Sequence, residues 1–203
     1  MSEYKNKFED EIIRWLNEHG WKTIKSVYVT ADNTTCQIDI IGLGKGFICI
    51  ETKGHPVDRV KPIVGASTWP YITIYHQYGR MRSPVGQNKR HTDILNKYIA
   101  KEFSTLRIND KKPKAPKASP VNIVNGQWCL KGDISERLNL FNLNNLDEIN
   151  DRFGNYDSIP NYDIVSDKLY EIIIKLSDTS KERLEQHKKY LEYCKKNRLG
   201  AWR

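Results

Sequence analysis

Between Glu3 and His19, the apolar residues Phe8, Ile12, Trp15 and Leu16 recur at helical spacing among charged neighbours, and Gly20 follows as a stop. The chain therefore opens on an amphipathic helix. Lys22 to Thr30 then carries the β-branched alternation of a strand, and Thr35 to Leu43 and Phe47 to Lys53 flank Gly44-Lys45-Gly46 as the arms of a β-hairpin. Trp69 to Tyr78 reads as extended, and Ser83-Pro84 opens a second helix running to about Phe103. From Ile108 to Val121, Pro113, Pro116 and Pro120 are interleaved with Lys111, Lys112, Lys114 and Lys117, the composition of an extended and mobile basic loop. Val121 to Leu130 reads as a strand, Leu146 to Phe153 as a short helix, and Asp163 to Leu176 and Thr179 to Asn197 as charged amphipathic helices. No internal repeat is visible, and this order predicts an α/β fold with a mixed sheet flanked by helices.

Length sets the organisation. A chain of 203 residues suits one core with extensions, so a single domain is expected, with a core over 1–105, the basic loop over 108–120 and a further strand and helices over 121–203. No apolar run approaches the roughly 20 residues of a membrane span, and Met1 to Asp10 is charged with no apolar leader segment, so a cytoplasmic location is expected. Cys36, Cys49, Cys129 and Cys194 are scattered without ligand spacing, which predicts reduced and mostly buried thiols and no zinc site. The 33 Lys and Arg against 25 Asp and Glu give a formal charge of +8, which favours polyanionic partners such as nucleic acid.

The hairpin is where the chemistry concentrates. With a three-residue loop, Leu43 pairs with Phe47, and counting outward sets Asp39 opposite Glu51 on one face, with Cys49 and Lys53 on that face too. The two loop glycines are expected to supply positive φ. Opposed carboxylates about 5 Å apart repel by about 3 kcal/mol at an effective dielectric near 20. Three arrangements relieve this: a protonated carboxyl, neutralisation by Lys53, or a hard divalent cation, and oxygen-only ligands point to Mg²⁺ or Mn²⁺. A solvent-facing acidic hairpin fits less well, because Ile38, Ile40, Ile41, Phe47, Ile48 and Ile50 describe strands buried on both faces.

Asp39, eleven intervening residues and Glu51-Thr52-Lys53 resemble the D…(D/E)XK signature of the restriction-endonuclease-like superfamily. The wider set is more specific. Gln37-Ile38-Asp39, Gly46-Phe47-Ile48-Cys49-Ile50-Glu51-Thr52-Lys53, and Ser83-Pro84 followed by Gln87 and His91 resemble the nuclease-related domain, NERD, over about the first half of the chain. The resemblance implies a restriction-endonuclease-like mixed sheet with added C-terminal helices, and metal-dependent hydrolysis of phosphodiester bonds, most naturally in DNA. It implies that Asp39, Glu51 and the Thr52 carbonyl hold Mg²⁺ or Mn²⁺, and that Glu9 on the first helix is a further acidic member, with Glu11 as its competitor. Lys53 would orient water and stabilise transition-state charge, while Gln37, Gln87 and His91 face the substrate. Lys111, Lys112, Lys114 and Lys117 are candidates for phosphate contacts, and members that cut both strands commonly act as homodimers. The competing reading is a non-cleaving nucleic-acid-binding or regulatory module on the same fold.

Overall fold

The computed structural model describes residues 3–57, 59–62, 72–76, 79–81, 83–126, 138–153, 162–178 and 180–197. Helix α1 (Glu3–Glu18) is followed by strands β1 (Lys22–Ala31), β2 (Thr34–Leu43) and β3 (Phe47–Val57). A small antiparallel sheet of β4 (Arg59–Pro62), β5 (Ile72–His76) and β6 (Gly79–Met81) precedes helix α2 (Pro84–Ser104). Strand β7 (Ser119–Gly126), the short β8 (Leu140–Phe141), a single 3-10 turn and helices α3 (Asp147–Phe153), α4 (Tyr162–Asp178) and α5 (Ser180–Lys196) complete the described chain. The main sheet runs β1-β2-β3-β7-β8, antiparallel across its first three strands and parallel from β3 onward. The molecule is thus mixed α/β with additional C-terminal helices, as the sequence predicts and as a restriction-endonuclease-like fold requires.

Each face of the sheet has its own core. Phe8, Ile12 and Leu16 of α1, spaced by four, pack with Ile40, Ile48, Ile50, Val121 and Ile123 and with Ile149 of α3. On the other face, Ile94, Leu95, Tyr98 and Ile99 of α2 and Val165, Leu169 and Ile173 of α4 meet Phe47, Cys49, Ile41 and Leu43. Helix α1 ends where Gly20 takes φ +84, and Trp21 then folds back, its indole nitrogen donating to Asn150 Oδ1 of α3 at 2.7 Å. Helix α2 begins as expected: Ser83 caps it by accepting from the Val85 N–H, and Pro84 occupies the first turn, where no donor is needed.

Several expectations need correction. The β2–β3 turn does not use positive φ, since among the described glycines only Gly20, Gly79 and Gly126 adopt it. Gly44 is there for space, because a Cβ would lie 3.1 Å from the Trp21 ring. The basic segment after α2 is tied down, with Pro116 and Ala118 buried and Asn96 bonded to both the N–H and the C=O of Ala118. The strand expected over Val121 to Leu130 runs over Ser119–Gly126, and its later residues, with Cys129, lie outside the described residues. Trp69 to Tyr71 and the last two residues of that extended stretch also lie outside them. Cys36, Cys49 and Cys194 are buried and unpaired.

Candidate active site

A break in strand alternation decides where Asp39 points. Ile24 and Val27 share one core, and so do Ile38 and Ile41, although residues three apart on a regular strand face opposite ways. The reversal falls at Ser26, which adopts φ +57, and at Asp39 across from it, the one position missing from the β1–β2 register. A non-glycine residue in this region costs on the order of 1 kcal/mol, which the packing on either side over-determines. The β2–β3 ladder also ends one step short, at Ile40–Ile50, so Asp39 and Glu51 are not the directly opposed pair on one face that the sequence predicts: Asp39 meets Lys5 and Thr52 on the α1 side, and Glu51 meets Lys53 and His91 on the α2 side. The Asp39 carboxylate takes over where the ladder stops: its Oδ2 accepts from the Thr52 N–H at 2.9 Å.

Around this break, three carboxylates are almost wholly withdrawn from solvent. Relative exposure is 1% for Glu9, 5% for Asp39 and 1% for Glu51. Thr52 Oγ1 lies 3.0 Å from Asp39 Oδ2 and 3.2 Å from Glu9 Oε1, and its single proton can serve one of them at a time. Lys5 donates to Asp39 Oδ1 at 2.8 Å and stands 3.4 Å from Glu9 Oε1, while Lys25 stands 3.3 Å from Glu9 Oε2 and bonds Asp10 at 2.7 Å. On the α2 side, Lys53 Nζ donates to Glu51 Oε1 at 2.7 Å and to Gln87 Oε1 at 3.1 Å. His91 Nδ1 is 3.3 Å from Glu51 Oε2, a contact too loose to count as a well-formed hydrogen bond.

The electrostatics join these two halves. Burial lowers the pKa of the Lys5 ammonium, but Asp39, Glu9 and Glu51 together outweigh it and leave it raised. Burial likewise pushes the Glu51 carboxyl up, but His91 and Lys53 prevail and hold it below its ordinary value. Thus Lys5 feels all three acids. Burial pushes the neighbouring Cys49 thiol to about 12, so it is an inert core group and no nucleophile.

The predicted residues are therefore partly gathered. Glu9, Asp39 and Thr52 meet on the α1 side and Glu51, Lys53, Gln87 and His91 on the α2 side, and buried Glu9 rather than exposed Glu11 is the acid that α1 contributes. Gln37 is half-buried opposite Tyr28 and makes no hydrogen bond to the cluster among the described residues. Lys111, Lys112, Lys114 and Lys117 lie elsewhere. They precede Ser119, which pairs with Ile48, whereas Lys53 pairs with Val124, so about five residues, or roughly 16 Å of strand, separate the two ends. A cavity of about 310 Å³ lined by Lys22, Lys45, Asp163, Asp167 and Tyr170 lies at the hairpin-turn end, also away from the cluster.

Three contributors were not anticipated. Lys5 is four residues before Glu9, a spacing that by itself signals only a helix-surface ion pair. The Thr52 hydroxyl had no signal beyond its place in the motif. Asn88, fully buried, donates to the carbonyls of Cys49 and Val121 and lies 3.2 Å from Asn122 Oδ1, clamping α2 to β3 and β7.

The donor set suits a hard cation: it is all oxygen, it is buried, and Glu9 Oε2 and Glu51 Oε2 receive no hydrogen bond. Among the described residues, no three acidic, imidazole or thiol groups are already disposed around one point as ligands. Positive charge there comes from Lys5 instead. Nor, among the described residues, is any helix long and apolar enough to cross a membrane.

No curated protein and no solved structure matches the chain significantly. A family model described as nuclease-related domain (NERD) matches residues 4–115, which is more than half of the 203 residues. The matched span runs from α1 through α2 and holds Glu9, Asp39, Glu51, Lys53 and Gln87 alike, so the chain belongs to the nuclease-related domain family.

Proposed function

We propose that the protein is a nuclease that hydrolyses phosphodiester bonds in DNA, with Mg²⁺ or Mn²⁺ held by Asp39, Glu51 and the Thr52 carbonyl and with Glu9 as a further acidic ligand. One observation carries the reading: a buried cluster of carboxylates beside a lysine fixed in place, in which Glu9 Oε2 and Glu51 Oε2 make no well-formed hydrogen bond and have only Lys25 and His91 near them, each at 3.3 Å. Leaving such oxygens unsatisfied is costly unless a cation completes them. When bound, the cation supplies Lewis-acid charge at the scissile phosphate and a water acidic enough to attack at neutral pH.

The chain's own residues do the positioning. Glu51 and Gln87 aim the Lys53 ammonium from two sides, which suits it to orient water and to stabilise charge developing on the phosphate. Donation from the Thr52 N–H holds Asp39 and keeps it from turning into the sheet. The test is a cleavage assay over duplex, branched and single-stranded DNA and RNA, with Mg²⁺, Mn²⁺ or chelator, run beside Asp39→Asn. Metal-dependent cutting that Asp39→Asn abolishes is expected. Nucleic-acid binding without cutting under every condition would leave the non-cleaving module instead.

The lysine-rich segment makes a separate prediction. It leads into Ser119, five residues along β7 from the Val124 that pairs with Lys53. Changing Lys111, Lys112, Lys114 and Lys117 to Ala together is expected to weaken DNA binding and to flatten its log–log salt dependence by about 0.9 for each phosphate no longer neutralised. An unchanged slope in a fluorescence-anisotropy titration would mark the segment as a solvated connection.

A further inference from the structure

Glu9, Asp39 and Glu51 carry three negative charges, and Lys5, Lys25 and Lys53 already stand within 3.4 Å of them. The cluster is close to neutral without any metal ion. A divalent cation entering it needs direct contact with carboxylate oxygens at about 2.1 Å, yet Asp39 Oδ1 is engaged by Lys5 Nζ at 2.8 Å. The ion and that ammonium would stand within a few ångströms of each other, a repulsion too strong in a buried site for both to remain.

Of the three lysines, Lys5 is the one whose departure would free Asp39. Lys53 is pinned between Glu51 and Gln87 with its side chain 17% exposed, and Lys25 reaches Glu9 from the side shared with Asp10 and forms no ion pair with Asp39. Lys5 lies in the first turn of α1, its side chain is 27% exposed, and its flexible four-carbon stem can turn outward without disturbing Phe8, Ile12 or Leu16.

We propose that Lys5 is a resident counter-cation of the three-carboxylate cluster, and that a divalent cation binds only by displacing it, so that Lys5 sets the affinity of the site. The inference rests on the metal-dependent reading above. Its consequence is a site held assembled in the absence of metal, at the expense of metal affinity.

The test is Mn²⁺ binding to the whole purified chain without nucleic acid, by calorimetry and by the loss of the free-ion electron paramagnetic resonance signal. Lys5→Met, which keeps the stem and removes the charge, is expected to tighten Mn²⁺ binding by about tenfold or more, whereas Lys5→Arg stays near wild type or weaker. In chelator, Lys5→Met is expected to melt below wild type, with the gap closing at saturating Mn²⁺. Lys5→Gln, read in the same two ways, serves should Lys5→Met not fold. Equal or weaker binding in the charge-removing variants, with wild type binding normally, overturns the Lys5 inference alone. No binding by any form removes the metal-dependent reading and this inference together.

Discussion

Replacing Glu51 by Gln, or Lys53 by Met, is expected to lower the cleavage rate by about 10²–10³-fold while circular dichroism stays that of the wild type. Both changes keep side-chain volume and remove charge. Glu51→Gln takes away the carboxylate proposed as a ligand, yet its remaining amide oxygen can still accept from Lys53. Lys53→Met leaves Glu51 beside His91 but removes the ammonium aimed by Gln87. If these residues act on one transition state, the double variant loses little more than the worse single one. Rates close to wild type in either single variant would remove the assigned roles.

The second large effect is on stability. From α2, Asn88 donates to the Cys49 and Val121 carbonyls, tying the helix across β3 and β7, and the Thr92 hydroxyl in turn donates to Asn88 Oδ1. Leucine at position 88 has similar volume and no polar atoms, so it removes these three buried hydrogen bonds at about 0.5–1.5 kcal/mol each. A net loss of about 3 kcal/mol is expected for Asn88→Leu, which lowers the melting midpoint by roughly 6–12 °C in a chain of this size. Activity should fall as well, since the same clamp sets the approach of Gln87 to Lys53 and of His91 to Glu51. A loss within the roughly 0.5 kcal/mol of an ordinary surface change, read by urea unfolding, would show that the clamp is not needed.

Much of the architecture was legible because it follows from local rules. The four-residue spacing of Phe8, Ile12 and Leu16, the Ser83-Pro84 cap and the apolar runs on either side of Gly44 each name their element without outside help, and all three are found. The short strands β4, β6 and β8 were not anticipated, since so few residues carry too little periodicity to register.

The site divides along the same line. That an aspartate, a glutamate and a lysine reach the end of one hairpin was determined by the sequence itself, because alternation and a three-residue turn are properties of neighbouring residues. How they meet was decided only in three dimensions. The positive φ of Ser26 turns the strand at Asp39, Glu9 and Lys5 arrive from a helix on one face, and Gln87, Asn88 and His91 arrive from a helix on the other. Those approaches depend on how two cores pack against a sheet, a long-range balance of volume and charge that no local spacing encodes.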